Sequence, residues 1–297
     1  MALTDTDLPG VWKNADGESR RGQTWTLRLT WLKVGGGVLA AFGGALSWSL
    51  GSVDVAAGIV LVGFLTALVS ELVSWVTQPE RLWYEGRAVA ESAKTLAWRY
   101  AVGADPFPAS MSRTEAASKF SERMSAVADQ VAERIIFDEE QPVLTEPMDA
   151  LRARPFEERR AAYIQFRTQD QQQWYSRKAR ANRRQAAAWR FILILAEVIA
   201  VVLAAGRVFG GWSVDFAGLL AALIAACTAW VAVKQFSPLA SAYSVATKEL
   251  SLQSFRLSDV AEDDWPLVAA DAEEAISREH TTWLASRTGS ATIRPGS

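Results

Sequence analysis

One cysteine serves 297 residues, Cys227, and it lies inside an apolar run; an internal disulfide framework and a thiolate metal cluster are both excluded. There is also one histidine, His280, in a polar C-terminal segment. A Ser-His-Asp triad or a His-rich metal site therefore lacks its central residue, and a surface imidazole is the expectation. No glycine-rich phosphate loop is present: "VGGGV" and "AFGGAL" sit in an apolar run, and neither carries the lysine such a loop requires. The N-terminus lacks a basic start followed by an apolar core of about 7 to 15 residues, so a cleaved signal peptide is not expected. The acidic cluster Asp138, Glu139, Glu140 reads as a solvated linker rather than a metal site. These absences leave no catalytic residue, cofactor or metal to assign, and the chain is not expected to be an enzyme.

Charge is missing locally rather than globally. The net charge is only -2 and half the residues are hydrophobic, yet residues 34–53 and 216–233 contain no charged side chain at all. Four apolar runs emerge, at about 34–50, 55–76, 190–206 and 216–234, grouped in two closely spaced pairs. A bilayer core of about 30 Å needs about 20 helical residues. The second run meets that length outright; the others do so with flanking Trp, Ser and Thr. Helices buried inside a soluble protein normally keep a polar stripe, and these runs are apolar all round. Trp31, Trp48, Trp75, Trp189, Trp212 and Trp230 lie near their ends, as interfacial aromatics do.

The densest basic stretch, with Arg177, Lys178, Arg180, Arg183, Arg184 and Arg190, opens directly onto the third run. Lysines and arginines also flank the outer ends of the other runs, whereas the two short connections hold only Asp54, Arg207 and Asp215. The positive-inside rule then places the connections outside, and both termini and the long middle segment in the cytoplasm. The basic stretch is a topology anchor able to rest on anionic headgroups. Nucleic-acid binding, which the same residues would serve, is disfavoured because their position already has a reason.

Both connections contain Ser-Val-Asp, residues 52–54 and 213–215, and each pair of runs is followed by a proline and an amphipathic segment, the pattern of a duplicated unit. In the first such segment Trp83, Ala90, Lys94 and Trp98 recur at helical spacing, with Arg87 and Glu91 as an i,i+4 pair. "DEEQPVLTEPMDALRARP", with three prolines, marks a boundary between halves. From Phe156, the series Tyr163, Phe166, Asp170, Trp174 predicts one rod continuing into the third run. Small residues recur every four positions at Gly36, Ala40, Gly44 and at Gly218, Ala222, Ala226. Such ribbons let transmembrane helices approach closely, within one chain or between chains. Two carboxylates, Glu71 and Glu197, lie inside apolar runs near their cytoplasmic ends. Burial in hydrocarbon costs each at least about 2.5 kcal/mol, so each needs headgroup water, a partner such as Arg81 or Arg190, or a water-filled conduit.

The stretch "YIQFRTQDQQQWYSRKARANRRQAAAW", a short apolar hairpin and then "YSVATKELSLQSFRL" resemble a SLATT domain, the SMODS- and SLOG-associating two-transmembrane effector domain. "PERLWYEGRAVAESAKTLAWRYAVGADPF", after its own hairpin, resembles a second subtype. The resemblance implies a bacterial inner-membrane effector of conflict or antiviral systems, forming a pore or perturbing the membrane when a partner senses a nucleotide signal or infection. It supplies no catalytic residues. With no nucleotide-sensor domain recognisable in the sequence, the sensor is expected to be a separate protein.

The expected architecture is an all-α membrane protein with two transmembrane hairpins, four spanning helices, and long cytoplasmic helical extensions. Its segments are a cytoplasmic N-terminal piece (1–24), a first unit (25–137), a linker (138–155), a second unit (156–260), and a C-terminal helix with a disordered tail (261–297). Expected partners are the lipid bilayer, further copies of the chain and a separate signalling protein; the alternative to a pore is a non-conducting scaffold whose cytoplasmic helices recruit partners.

Overall fold

Most helix ends have local causes. The computed structural model describes residues 3–46, 48–137, 141–210 and 216–287, the last ten of these as backbone alone. Helix α1 spans Gly10–Ala45 and α2 Val55–Thr77, and between them Ser49–Leu50 pairs antiparallel with Val53–Asp54 (β1 and β2). Gly51 takes the positive φ that this tight ribbon needs. Asp54 caps α2, accepting from the Ala57 N–H at 3.0 Å. Helix α3 (Pro79–Val102) ends at Gly103, φ 73°, and α4 (Arg113–Asp129) starts at Ser112, which accepts from the Glu115 N–H. Helices α5 (Glu146–Arg152) and α6 (Phe156–Tyr163) follow. A π-helical turn over Ile164–Gln169 then leads into α7 (Asp170–Gly210), so helix is continuous from Phe156 to Gly210. Helices α8 (Phe216–Lys234), α9 (Phe236–Ser258) and α10 (Trp265–Arg287) complete the described chain.

Among the described residues, three helices are long and apolar enough to cross a membrane: α2, the helix 156–210 and the helix 216–258. The first apolar run differs from expectation. It was to reach residue 50 as helix, but α1 stops at Ala45 and the chain turns into the β ribbon. From Val34 its apolar part rises only about 18 Å at 1.5 Å per residue, and three consecutive glycines within it lower its hydrophobicity.

The sequential halves are not the compact units. One unit comprises residues 1–22, 81–177 and 243–297, and the other residues 23–80 and 178–242. Each half supplies apolar hairpin to one unit and amphipathic helix to the other, because segments of like polarity bury one another. Within the N-terminal piece 1–24, Trp12, Ala15 and Ser19 of α1 are buried, and the Ser19 hydroxyl donates to the Trp83 carbonyl of α3. The expected linker carries α5, whose Met148 and Leu151 are fully buried, so it forms core rather than spacer. Residues 138–140, the Ser-Val-Asp at 213–215, Trp212 and the tail 289–297 lie outside the described residues, as does the His280 side chain.

Within the first unit, small residues on α3 (Ala90, Ala93, Ala97, Ala101) admit close neighbours, and aromatic rings fill the space around them. Trp98 meets the Tyr163 ring edge-on, and Tyr163 meets Trp265 at 5.7 Å. Tyr100, Phe107 and Phe120 form a second cluster at 5.1–5.9 Å. Burying each such Phe contributes about 1.5–3 kcal/mol. The expected Arg87–Glu91 pair is present at 2.6 Å.

Candidate functional site in the hairpins and the rod helix

In the second unit the first hairpin is held by backbone contact. A Cβ on Gly36 would lie 2.6 Å from the Gly63 carbonyl oxygen, and one on Gly63 would lie 2.5 Å from the Ala40 nitrogen. Gly43 continues the seam, closing on Ala56 and Val60 of α2. The small-residue ribbon of α1 is therefore Gly36, Ala40, Gly43 and packs inside the chain. Gly44, expected in that ribbon, faces open space. A helix turns 3.6 residues, not four, so a period-four series drifts off the seam. On α8, Ala222 and Ala226 are half-buried and Gly218 is exposed.

The two carboxylates part company. Glu71 pairs with Lys33, although both side chains are more than half exposed (57% and 54%). Lys33 thus takes the place expected of Arg81, which pairs with Glu85 at 2.7 Å. Lys33 is one of the cations that flank the first apolar run, and that it faces Glu71 depends on the crossing of α1 and α2. In hydrocarbon such a pair cancels net charge at both positions. Glu197 behaves otherwise. It is exposed on the apolar part of α7 and makes no hydrogen bond or ion pair among the described residues.

All six residues of the basic stretch are exposed along α7. Arg177, Arg180, Arg183, Arg184 and Arg190 form no ion pair among the described residues, in contrast to Arg113, Arg134, Arg159, Arg160 and Arg167, each of which has a carboxylate partner. Exposed, unpaired guanidinium groups beside an apolar span suit phosphate headgroups, which accept bidentate hydrogen bonds.

A buried polar network surrounds the π-helical turn in the first unit. Arg167 donates from Nε and Nη2 to Glu273 of α10, both at 2.8 Å, and the Tyr163 hydroxyl donates to the same carboxylate at 3.0 Å. The ion-paired side chains are 1% and 0% exposed. Burial alone would favour a neutral Arg167, yet the Glu273 carboxylate holds the guanidinium protonated, with Glu91 adding to the attraction. Burial and the neighbouring Glu273 together push the Tyr163 phenol well above its ordinary range. Arg167 Nη1 and the Thr168 hydroxyl have no partner among the described residues. No local sequence signal marks this pair, because its members stand more than a hundred residues apart.

Residues 9–160 match the family model of the SMODS and SLOG-associating 2TM effector domain 3, and residues 163–283 match that of effector domain 1. The chain belongs to the SLATT family. Neither the curated proteins nor the solved structures compared with it give a match. The two SLATT domains meet at residues 160–163, where α6 passes into the π-helical turn. Each domain contributes one apolar hairpin and the amphipathic helices that follow it. Each second hairpin helix also ends alike, on a glutamine in the left-handed region: Gln78 (φ 43°) after α2 and Gln235 (φ 51°) after α8. Glycine or asparagine is usual at such a position, so the shared glutamine is a structural sign of the repeat that the sequence alone did not announce.

Proposed function

We propose that this SLATT chain is a bacterial inner-membrane effector in which four apolar segments cross the bilayer as two hairpins with both termini cytoplasmic. Copies of it assemble, and the assembly permeabilises or remodels the membrane. The observation that carries the reading is Glu197: on an apolar helix an exposed carboxylate with no partner among the described residues needs headgroup water, a second chain or a water-filled lumen, and an assembly supplies the last two. The unpaired arginines of α7 support attachment to anionic headgroups, and the trigger is a separate sensor or nucleotide-signalling protein. The scaffold reading draws support from Lys33–Glu71, since a carboxylate neutralised inside one chain is withdrawn from any conduit.

A ring of Glu197 favours cations. Glu197→Gln should therefore reduce cation preference, read as a smaller reversal potential in a salt gradient, with oligomer size and protein level unchanged. Wild-type chain that passes no current in planar bilayers and depolarises no cells, even with proteins of neighbouring genes co-expressed, leaves the scaffold in its place.

Topology has its own test. In a Cys227→Ser background, cysteines at Ser52 and Ser213 should react with an impermeant external reagent in intact cells, and one at Ser125 should not. Labelling at Ser125 reverses the orientation.

A further inference from the structure

The SLATT domain boundary coincides with an irregular helix turn, and that turn is held by α10, the last of the described helices. A π-helical turn accommodates one residue more than the α turn it replaces, with poorer hydrogen-bond geometry, and persists only where its surroundings impose it. Here the surroundings are specific. Arg167 lies inside the turn and Tyr163 just before it, and both bond Glu273 of α10. Helix α10 is further fixed by the Trp265 indole N–H to the Val102 carbonyl at 2.9 Å and by Arg99 to the Ala270 carbonyl at 2.8 Å. Two polar groups of the turn, Arg167 Nη1 and the Thr168 hydroxyl, are buried without a partner among the described residues, so within these the turn is an imperfectly satisfied site. A buried ion pair is a poor stabiliser beside apolar side chains of the same size, but breaking one member of it is strongly unfavourable. The same continuous helix carries the basic stretch and an apolar span.

We infer that α10 is a releasable latch on this turn. Docked, its Glu273 holds Arg167 and keeps the extra residue in place. Released, the turn relaxes to regular α-helix. Absorbing one residue turns everything C-terminal to it about the helix axis by about 100° and advances it by about 1.5 Å, which changes the face that α7 presents, Glu197 included. The latch is regulation of the effector proposed above and rests on that reading for its purpose. Its test does not, because it reads backbone exchange.

Hydrogen exchange is followed on the full chain in nanodiscs, wild type against Glu273→Gln, which keeps the side-chain shape and removes the charge. Exchange should rise about a hundredfold in α10 and in residues 164–169, while α3 and α4 stay protected. The double variant Arg167→Met, Glu273→Leu, which replaces the pair by apolar side chains, should restore protection of α10. The latch is overturned if α10 stays protected in Glu273→Gln, if α3 and α4 open together with it, if α10 opens while 164–169 is unchanged, or if the double variant stays open. Dye-loaded vesicles carrying Glu273→Gln should leak. An α10 that releases without leak leaves the device in place and removes the effector reading it was to regulate.

Discussion

Gly63→Leu should separate the two helices of the first hairpin. A side chain at this position meets the Ala40 nitrogen and the Gly36 carbonyl, both backbone atoms that cannot rotate aside. Overpacking a well-filled site costs about 1–3 kcal/mol, and rigid backbone on the far side puts this one at the upper end or beyond. Expected results are loss of most folded protein and a thermal transition in detergent several degrees lower. Gly44→Leu is the matched comparison, because beyond its own stretch of helix no atom of the described residues lies within 4 Å of the Cβ it would add. It should leave the monomer as stable as wild type. A Gly44→Leu chain that stays folded but loses its crosslinked ladder in membranes would show that the open face joins copies, whereas an unchanged ladder would exclude that face. A folded Gly63→Leu chain of normal stability would mean that the α1–α2 seam is not what holds the hairpin.

Arg152→Leu should have a comparable effect on the first unit. The guanidinium donates to three carbonyls, Tyr100 at 3.0 Å, Phe107 at 2.7 Å and Pro108 at 2.8 Å, and lies over the Tyr100 ring at 5.0 Å. It ties α5 to the loop that follows α3. Its loss leaves the Phe107 carbonyl without a donor, at about 1–3 kcal/mol, while the Tyr100 and Pro108 carbonyls keep the Gly103 and Met111 N–H groups and lose only the charged donor; with the packing over Tyr100 lost as well, the effect is a sizeable share of a domain's net stability of about 5–15 kcal/mol. Arg152→Lys should rescue little, since one ammonium on a flexible stem does not span the fork. A melting temperature for Arg152→Leu within a degree of wild type would contradict the assignment. The neighbouring Asp149 predicts a pH effect of known sign. Burial pushes its carboxyl up, but hydrogen bonds from Arg113 and Tyr100 outweigh burial and hold it below the usual carboxylate range. Its stabilisation is thus present above the ordinary carboxylate pKa and lost as pH falls through the depressed value.

What the sequence made legible follows from how far each signal reaches. Apolar runs, the Arg87–Glu91 pair and the rod entering the third run depend on residues within a few turns of one another, so local periodicity exposes them. Arg152 illustrates the opposite case. Three prolines and a row of charges made its segment look like a spacer, and nothing near it indicates that its acceptors lie 44 to 52 residues upstream. The pairing of Lys33 with Glu71 was hidden for a related reason: charge counting assigns a cation to a membrane end, but only helix crossing assigns it a partner. Gly44 gave way to Gly43 because a ribbon read at period four ignores the remaining fraction of a turn. The π-helical turn has no compositional signature, and its neighbours come from the far end of the chain.

The discontinuous make-up of the first unit has a consequence for biosynthesis. Its core needs Trp265, and its buried Arg167 needs Glu273, both from the last of its three segments. A ribosome that has already made the first hairpin and the third run has not yet made either residue. The core of the first unit therefore closes only after the final apolar run has left the ribosome. Until then the nascent chain carries a charged arginine with no counter-ion and a row of unburied aromatics, the substrate that chaperones and membrane proteases select. Quality control can thus act on a SLATT chain whose first unit is still open.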